Sequence, residues 1–278
     1  MGRIETTLAL MGASWRILKK DGELLLLPVI SGICCLSVMV IFIFQGMGHG
    51  WFKYLAPHAA AHEKNIAYLL IFLFYYCNYL VIIFFNAAII ACAVIRMDGG
   101  DPTLADGLQA SVNRFPQIAV WAFIAATVGF LLGMVESSSQ RGRGIIAAIF
   151  GIAWSIVSYL AIPLIVVEKT NPLLAMDRSI FLMQKTWGEQ VVGNFSFGLM
   201  FTFLSLPILP MMRVMNRFWG THTLLPIVVL TVLYLIVLGI FQSALQTIFN
   251  AVMYVYARDG KAPDGFSTGL LQDAMRRL

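Results

Sequence analysis

The sequence predicts an all-helical membrane protein with six transmembrane helices arranged as three hairpins, each preceded by a cytoplasmic amphipathic surface helix. Of the 278 residues, 59% are hydrophobic and only 12% are charged, which leaves too few polar groups to cover a water-soluble surface. Six apolar runs are each long enough to cross the hydrocarbon, which takes about 20 helical residues. Helices are required because lipid cannot satisfy open backbone groups.

The chain divides into three parts. Residues 1–23 form an N-terminal surface helix, residues 24–256 the six-span domain, and residues 257–278 a cytoplasmic tail with a short amphipathic helix. The predicted spans cover residues 24–44, 67–95, 117–135, 145–167, 190–212 and 224–256. Because the second and sixth exceed the thickness of a bilayer, they must tilt strongly or extend beyond it into the cytoplasm.

Residues 172–187 form the clearest surface helix. Asn171 in the N-cap place and Pro172 at the first helical position predict where this helix begins. The stripe expected to face the membrane consists of Leu173, Met176, Ile180, Met183 and Trp187. The side chains on the opposite face are those of Asp177, Arg178, Gln184 and Lys185. This composition is typical of a helix that lies in the membrane surface.

The same arrangement recurs along the chain. The N-terminal helix carries a similar stripe that ends in Trp15 and Leu18, and a truncated copy closes the chain. A weaker copy lies at 101–116, where Asp101-Pro102 matches Asn171-Pro172. The second and sixth spans also end alike, in Asp-Gly, so we interpret the chain as a diverged duplication of one unit.

The orientation follows from the distribution of Lys and Arg. The N-terminus, the segments 96–116 and 168–189 and the C-terminus hold 13 of these residues, and the three intervening loops hold 6. Positively charged loops stay in the cytoplasm, so both termini are predicted to face it. No cleavable signal peptide is evident, and we expect the first span to stay in place.

Amide side chains follow one face of two spans. Gln242, Gln246 and Asn250 are spaced by four residues in the sixth span, and Asn78 and Asn86 by eight in the second. An amide side chain in lipid needs a hydrogen-bond partner, so these residues either form hydrogen bonds between helices or line a polar path. We expect the two spans to lie together.

Histidines suggest one metal site. His58 and His62 have the i, i+4 spacing that lets two imidazoles share Zn, Cu or Ni, although short loop helices often carry such pairs by chance, and solvated loop histidines are the simpler interpretation. The four cysteines all sit in apolar runs and are interpreted as free thiols. We predict no cofactor.

No pattern in the sequence indicates catalysis or nucleic-acid binding. There is no phosphate-binding glycine loop or HExxH motif, and the acidic residues are not paired. The net charge of +5 comes from basic residues scattered near the ends of apolar runs, without the stacking aromatics of nucleic-acid-binding proteins. We therefore predict a protein that is not an enzyme and does not bind nucleic acid.

Three segments carry a resemblance to a known family. FFNAAIIACAVIRMDGGDPTLADGL, AWSIVSYLAIPLIVVEK and RSIFLMQKTWGE together resemble a family of uncharacterised bacterial multi-spanning membrane proteins, a domain of unknown function. The resemblance covers about residues 10–260. It implies a protein of the bacterial inner membrane and supplies no activity, substrate or site.

Two functions remain open after the sequence alone. The first is a passive channel or facilitator, lined by the amides of the second and sixth spans. The second is a membrane scaffold or accessory subunit that recruits a partner through its surface helices. In both, the partners are the lipid bilayer and either further copies of the chain or another membrane protein.

Overall fold

The computed structural model describes residues 12, 14–51, 54, 60–136, 143–187, 205–206 and 224–260. Within these ranges the side chains at 61–62, 136, 143–148, 156, 185–187 and 224–227 are not described. All regular structure in the described residues is helical. The elements are an N-terminal helix at 14–20, a 3-10 helix Gly22–Leu25, α1 Leu26–Gly48, α2 Ala61–Met97, α3 Leu104–Asn113, α4 Phe115–Glu136, α5 Arg143–Ser158, α6 Ala161–Val166, α7 Pro172–Trp187 and α8 Leu224–Asp259.

Four described helices are long and apolar enough to cross a membrane. They are Gly22–Gly48, Glu63–Met97, Phe115–Val135 and Val228–Asp259. These helices correspond to the first, second, third and sixth predicted spans. The fifth predicted span, 190–212, lies outside the described residues apart from 205–206, so the arrangement as three hairpins stays a prediction.

The fourth predicted span, 145–167, is not one continuous helix. A turn at Tyr159 and Leu160 separates α5 from α6. Pro163 explains the turn, because its ring would clash with the carbonyl of Tyr159 and it has no N–H to donate to that carbonyl. The N–H of Leu160 donates instead to Ser179 Oγ of α7, at 3.2 Å. Most of α6 is buried, so it is a short core helix rather than the end of a span.

The helices are arranged around α2, which contacts α1, α3, α4, α6 and α8. α4 runs antiparallel to it. Phe115 at the start of α4 lies 6.4 Å, between ring centroids, from Phe84, and Phe130 near the end of α4 lies 6.4 Å from Tyr68. Both contacts are edge-to-face, the geometry that aromatic quadrupoles favour. Residues 68–84 of α2 are therefore the part that α4 accompanies.

α3 lies along the last turns of α2. A Cβ placed on Gly107 would lie 2.5 Å from Cys92 Sγ and 2.7 Å from the carbonyl oxygen of Ala88, so only glycine allows this approach. One turn later, Ser111 Oγ donates to the carbonyl of Phe84 at 3.0 Å. Because the contacts on α2 run backwards as α3 runs forwards, the two helices are antiparallel. The weaker predicted surface helix thus packs on a span.

The start of α3 also differs from the prediction. Thr103 is the N-cap: its Oγ1 accepts from the N–H of Asp106 at 3.3 Å, and its own N–H donates to Asp106 Oδ2 at 2.9 Å. This helix begins at Leu104, two residues after Pro102, whereas α7 begins at Pro172 itself, so the matched pairs Asp101-Pro102 and Asn171-Pro172 stand at different distances from their helices.

Aligning the two helices by their first residues gives a different correspondence. Gly107 then matches Ala175, and Ser111 matches Ser179. All four residues are buried, and both serine hydroxyls bind the backbone of a neighbouring helix. The repeated feature of these helices is therefore a small residue followed four positions later by serine, rather than an apolar stripe.

α8 packs against α2, as predicted from their sequences. Residues 87–94 of α2 and 251–257 of α8 are buried without interruption, whereas residues 228–237 of α8 are exposed except at Thr231. We call the buried region the packed end: residues 84–97, 244–259, α3, α6, α7 and the N-terminal helix. We call the rest of the two long helices, before residue 84 in α2 and before residue 244 in α8, the exposed end.

The packed end accounts for the excess length of α2. Its 37 residues make a helix of about 55 Å, against about 30 Å of hydrocarbon. Since α4 accompanies only the part before Phe84, the remaining turns of α2 lie among the short helices α3 and α6 and the last turns of α8. The burial pattern therefore favours extension beyond the bilayer over tilting within it.

Candidate functional site at the packed end

Arg96, at the end of α2, joins three segments of the packed end. Its Nε donates to Asp21 Oδ2 at 2.6 Å, and its Nη2 donates to both Asp21 and Asp101. The Asp21 side chain is 8% exposed and that of Asp101 is 92% exposed. The bidentate pair with Asp21 thus links the N-terminal segment to α2, and Asp101 adds an outer contact.

Glu168, which follows α6, joins α7 and α8. One of its oxygens accepts from the Tyr254 hydroxyl at 3.2 Å, and the other lies 2.9 Å from Arg178 Nε. The carboxylate is 15% exposed, so it is held largely away from water. Both of its oxygens have a partner, as a mostly buried carboxylate requires.

Arg258, in the last turn of α8, makes the remaining connection. Its Nε and Nη2 donate to Asp259 at 2.7 and 2.8 Å, and Nη2 lies 3.9 Å from an oxygen of Asp98 at the end of α2. The guanidinium carbon lies 5.6 Å from the centroid of the Tyr254 ring, within the range of a cation–π contact. The ends of α2, α6 and α8 therefore meet in one charged cluster.

These three helix ends share a sequence pattern, of which only the Asp-Gly pairs that end the second and sixth spans were predicted. In each, an acidic residue precedes a residue with positive φ, and proline follows three positions later. The pairs are Asp98-Gly99, Glu168-Lys169 and Asp259-Gly260, with φ of 88°, 59° and 67° at the second residue. The prolines are Pro102, Pro172 and Pro263, the last outside the described residues.

Lys169 conceals the repeat because it stands where the other two copies have glycine. A non-glycine residue in the left-handed region costs about 1–2 kcal/mol, which the surrounding contacts must offset. Thr170, the next residue, supplies one of them, since its hydroxyl donates to the carbonyl of Leu164 at 3.0 Å. The spacing from acid to proline was the signal that could have revealed all three copies.

A cleft of about 610 Å³ opens beside this cluster, between α7 and the last turns of α8. Its lining residues are Glu168, Thr170, Leu174, Asp177, Arg178, Phe181, Leu182, Ala257 and Arg258. Two cations, two anions and several apolar side chains thus share one opening. Such a mixture suits a ligand that is polar at one end and apolar at the other.

The amides of the two long spans are not gathered into one group. Asn78 Nδ2 donates to the carbonyl of Phe74 in its own helix at 2.9 Å. Asn86 Oδ1 accepts from Thr247 Oγ1 of α8 at 3.4 Å, which makes Thr247 the contact that sequence reasoning missed. Thr247 follows Gln246 directly in the chain. The amide stripe of α8 therefore lies next to the face that contacts α2 and is not itself that face.

The amides of α8 differ among themselves. Gln242 is half-buried and Gln246 is exposed. Asn250 is half-buried, and its Oδ1 is buried without a hydrogen-bond partner among the described residues. Such an atom is uncommon and needs an explanation, for instance a water molecule.

α7 buries a different face from the predicted stripe. The buried residues are Pro172, Ala175, Ser179, Leu182 and Met183. Ile180 and Met176 are only half-buried, and Leu173 is 68% exposed. Arg178 is exposed on the far side, where it pairs with Glu168. α7 thus turns its small residues toward the protein, which allows a close approach to its neighbours.

Three other predicted site residues belong to the surface helices. Trp15 is half exposed, and its ring lies 5.7 Å from that of Phe241 in α8. Lys185 and Trp187 lie in the last turn of α7, but their side chains are outside the described set.

The predicted metal site stays a prediction. His58 lies outside the described residues, and His62 is described only in its backbone, in the first turn of α2. The four cysteines are described and are free, as predicted. Cys92 is the buried one, against α3, where its Sγ lies 3.4 Å from the carbonyl of Thr103.

The described residues are all-helical, and their four long apolar helices indicate a membrane protein whose packed end holds the charged cluster. Residues 65–266 match the family of unknown function DUF6159, and the chain belongs to that family. The match covers α2 through α8, so it includes most of the packed end. No curated protein matches the chain.

Proposed function

We propose that the chain is a non-enzymatic membrane scaffold or accessory subunit that holds a partner through its packed end. The observation that supports this proposal is the packed end itself. A protein that only crossed the bilayer would not need two helices of about twice the necessary length. Nor would it need ion pairs that tie the end of α2 to the N-terminal segment, to the loop before α3 and to the end of α8.

The short helices also supply contact surface. Val112 of α3 is 55% exposed and Leu173 of α7 is 68% exposed. Exposed apolar side chains beside charged ones are typical of protein interfaces. The partner is either a second copy of the chain or another membrane protein, and nucleic acid is not a partner.

Site-specific crosslinking in intact cells tests this proposal. A photoreactive amino acid placed at Val112 or Leu173 should give an adduct of one discrete mass. Twice the mass of the chain would identify a second copy. The control is Ile41 of α1, which is also exposed but lies in a predicted span, and where only lipid should be labelled. Absence of a protein adduct at both test positions would contradict the proposal.

We further propose that the packed end faces the cytoplasm of a bacterium and that the chain resides in its inner membrane. The distribution of Lys and Arg supports this orientation, with 13 of 19 in the segments on that side. Reporters that work only in the periplasm or only in the cytoplasm, fused after Gly50, Gly142 and Thr221 and at the C-terminus, test it. Cytoplasmic activity of the three loop fusions would reverse the orientation.

A passive conduit is the second candidate. The exposed amide of Gln246 and the Oδ1 of Asn250, which has no hydrogen-bond partner in the described part of the chain, favour it, because a water-filled path would satisfy both. Single cysteines at 242, 246 and 250 should then react with water-soluble thiol reagents. Gln246→Leu should alter solute flux in liposomes and leave stability nearly unchanged. Unreactive cysteines, together with no flux through the unmodified protein, would exclude this candidate.

A further inference from the structure

The cleft beside α7 combines features that none of the functions above requires. Glu168, Asp177, Arg178 and Arg258 contribute two positive and two negative charges to its wall. Leu174 is 59% exposed at the same opening. An opening with balanced charges and an apolar border differs from a purely anionic or cationic site.

The charged groups of this cleft are not equally available to a ligand. Both oxygens of Glu168 are occupied, by Tyr254 and Arg178. Arg178 uses its Nε for that pair, which leaves the N–H groups of its Nη atoms for a ligand. Asp177 is exposed and has no ion pair within the described part of the chain. The cleft therefore offers guanidinium donors and one free carboxylate.

We propose that this cleft binds a zwitterionic phospholipid whose headgroup carries a phosphate and a primary ammonium group. The Nη groups of Arg178 bind the phosphate, because a planar fork of N–H donors matches phosphate oxygens. Arg258, whose Nε and Nη2 are paired with Asp259, adds a positive charge at the same opening. Asp177 accepts from the ammonium group. The acyl chains lie against Leu174 and Phe181, whose exposed carbon would otherwise face water.

The charge balance favours this ligand over an anionic lipid. An anionic headgroup without an ammonium group, such as that of phosphatidylglycerol, would pair with an arginine but would place no cation opposite Asp177. A quaternary ammonium has no N–H to donate to that carboxylate. The site therefore distinguishes a primary ammonium from both alternatives. This inference holds whether the chain is a scaffold or a conduit, because neither function determines what fills the cleft.

Lipid retention by the purified full-length protein tests the proposal. Native mass spectrometry from mixed micelles should show phosphatidylethanolamine retained about tenfold more than phosphatidylglycerol or phosphatidylcholine, the factor expected from one charge-assisted hydrogen bond. Soluble glycerophosphoethanolamine should bind much more weakly than the lipid, because it lacks the acyl chains. Equal retention of the three lipids would overturn the proposal, and equal binding of the soluble headgroup would overturn its assignment to a lipid.

Two variants and one control locate the binding. Asp177→Asn should abolish the preference among the three lipids while leaving thermal stability unchanged, because Asp177 is exposed and unpaired in the described structure. Arg178→Lys keeps a cation beside Glu168 and should weaken retention of all three lipids, since the fork is lost. The control is Asp106→Asn, an exposed acid in α3 outside the cleft. An unchanged lipid preference in Asp177→Asn would contradict the proposal.

Discussion

The two ends of the long helices differ in burial, and small residues are prominent at the buried end. At the packed end, α2 contributes Ala87, Ala88, Ala91 and Cys92, all buried. At the exposed end the same helix shows large residues such as Leu69, which is 65% exposed. Small residues let helix backbones approach closely, and larger ones such as Ile89 and Tyr254 are buried beside them at this end. Small residues therefore indicate where these helices approach each other most closely.

The largest expected effect on stability comes from the ion pair between Arg96 and Asp21 at the packed end. Asp21→Asn should destabilise the protein by about 3 kcal/mol, because it leaves Arg96 without its shielded partner. Asp101→Asn removes the exposed partner of the same arginine, and should change the stability by less than about 1 kcal/mol. Denaturant unfolding in detergent would measure both. Equal losses of stability in the two variants would mean that Asp21 is no better shielded from water than Asp101.

A pair of glycines compares the two ends directly. Gly107→Ala should cost about 1–3 kcal/mol, because the new Cβ overlaps Cys92 Sγ and the Ala88 carbonyl of α2. Gly239→Ala, in the exposed half of α8, meets no atom within 4 Å and should be neutral or stabilising by up to about 1 kcal/mol. Thermal unfolding would separate them, and a neutral Gly107→Ala would contradict the close packing of α3.

The turn between α5 and α6 gives a smaller effect. Ser179→Ala should cost about 1–2 kcal/mol, because it leaves the buried N–H of Leu160 without an acceptor. Ser155→Ala is the matched control, since that hydroxyl is exposed and binds only the carbonyl of Gly151 in its own helix. If the two variants unfolded at the same temperature, Ser179 would not stabilise the turn.

The smallest effect depends on pH. Hydrogen bonds from the Thr103 side chain and backbone lower the pKa of Asp106. Because the folded pKa lies below the unfolded one, the carboxylate stabilises α3 above the unfolded pKa, about 3.9, and this stabilisation is lost as the pH falls through the folded pKa. The stability difference between the protein and Asp106→Asn should therefore shrink toward zero below about pH 4. A difference independent of pH would contradict the capping role.

Much of the fold was predictable because composition and run length report directly on helices in lipid. The first, second, third and sixth spans, the excess length of two of them and their contact follow from the sequence. The break at Tyr159 does not, because residues 145–167 are apolar throughout and only the combination of Pro163 with a distant Ser179 stabilises a turn there. Hydropathy carries no information about such a pair.

The site was less predictable, for a physical reason that α7 illustrates. An apolar stripe marks the buried face of a helix in water, but beside lipid both faces can be apolar. The prediction placed Leu173 on the membrane side and missed the significance of Ala175 and Ser179. Glu168 was missed for another reason, because its role depends on Tyr254 and Arg178, which are distant or on the far side of a helix.

The contact between Asn86 and Thr247 joins residues 161 positions apart in the chain. A ribosome adds about 5–20 residues per second, so roughly 8–30 s separate the synthesis of these two residues. During that interval the last turns of α2 are complete but lack the helix that covers them. α3, made within the next few seconds and fitted to α2 through Gly107, can cover another face of these turns while the rest of the chain is still being translated.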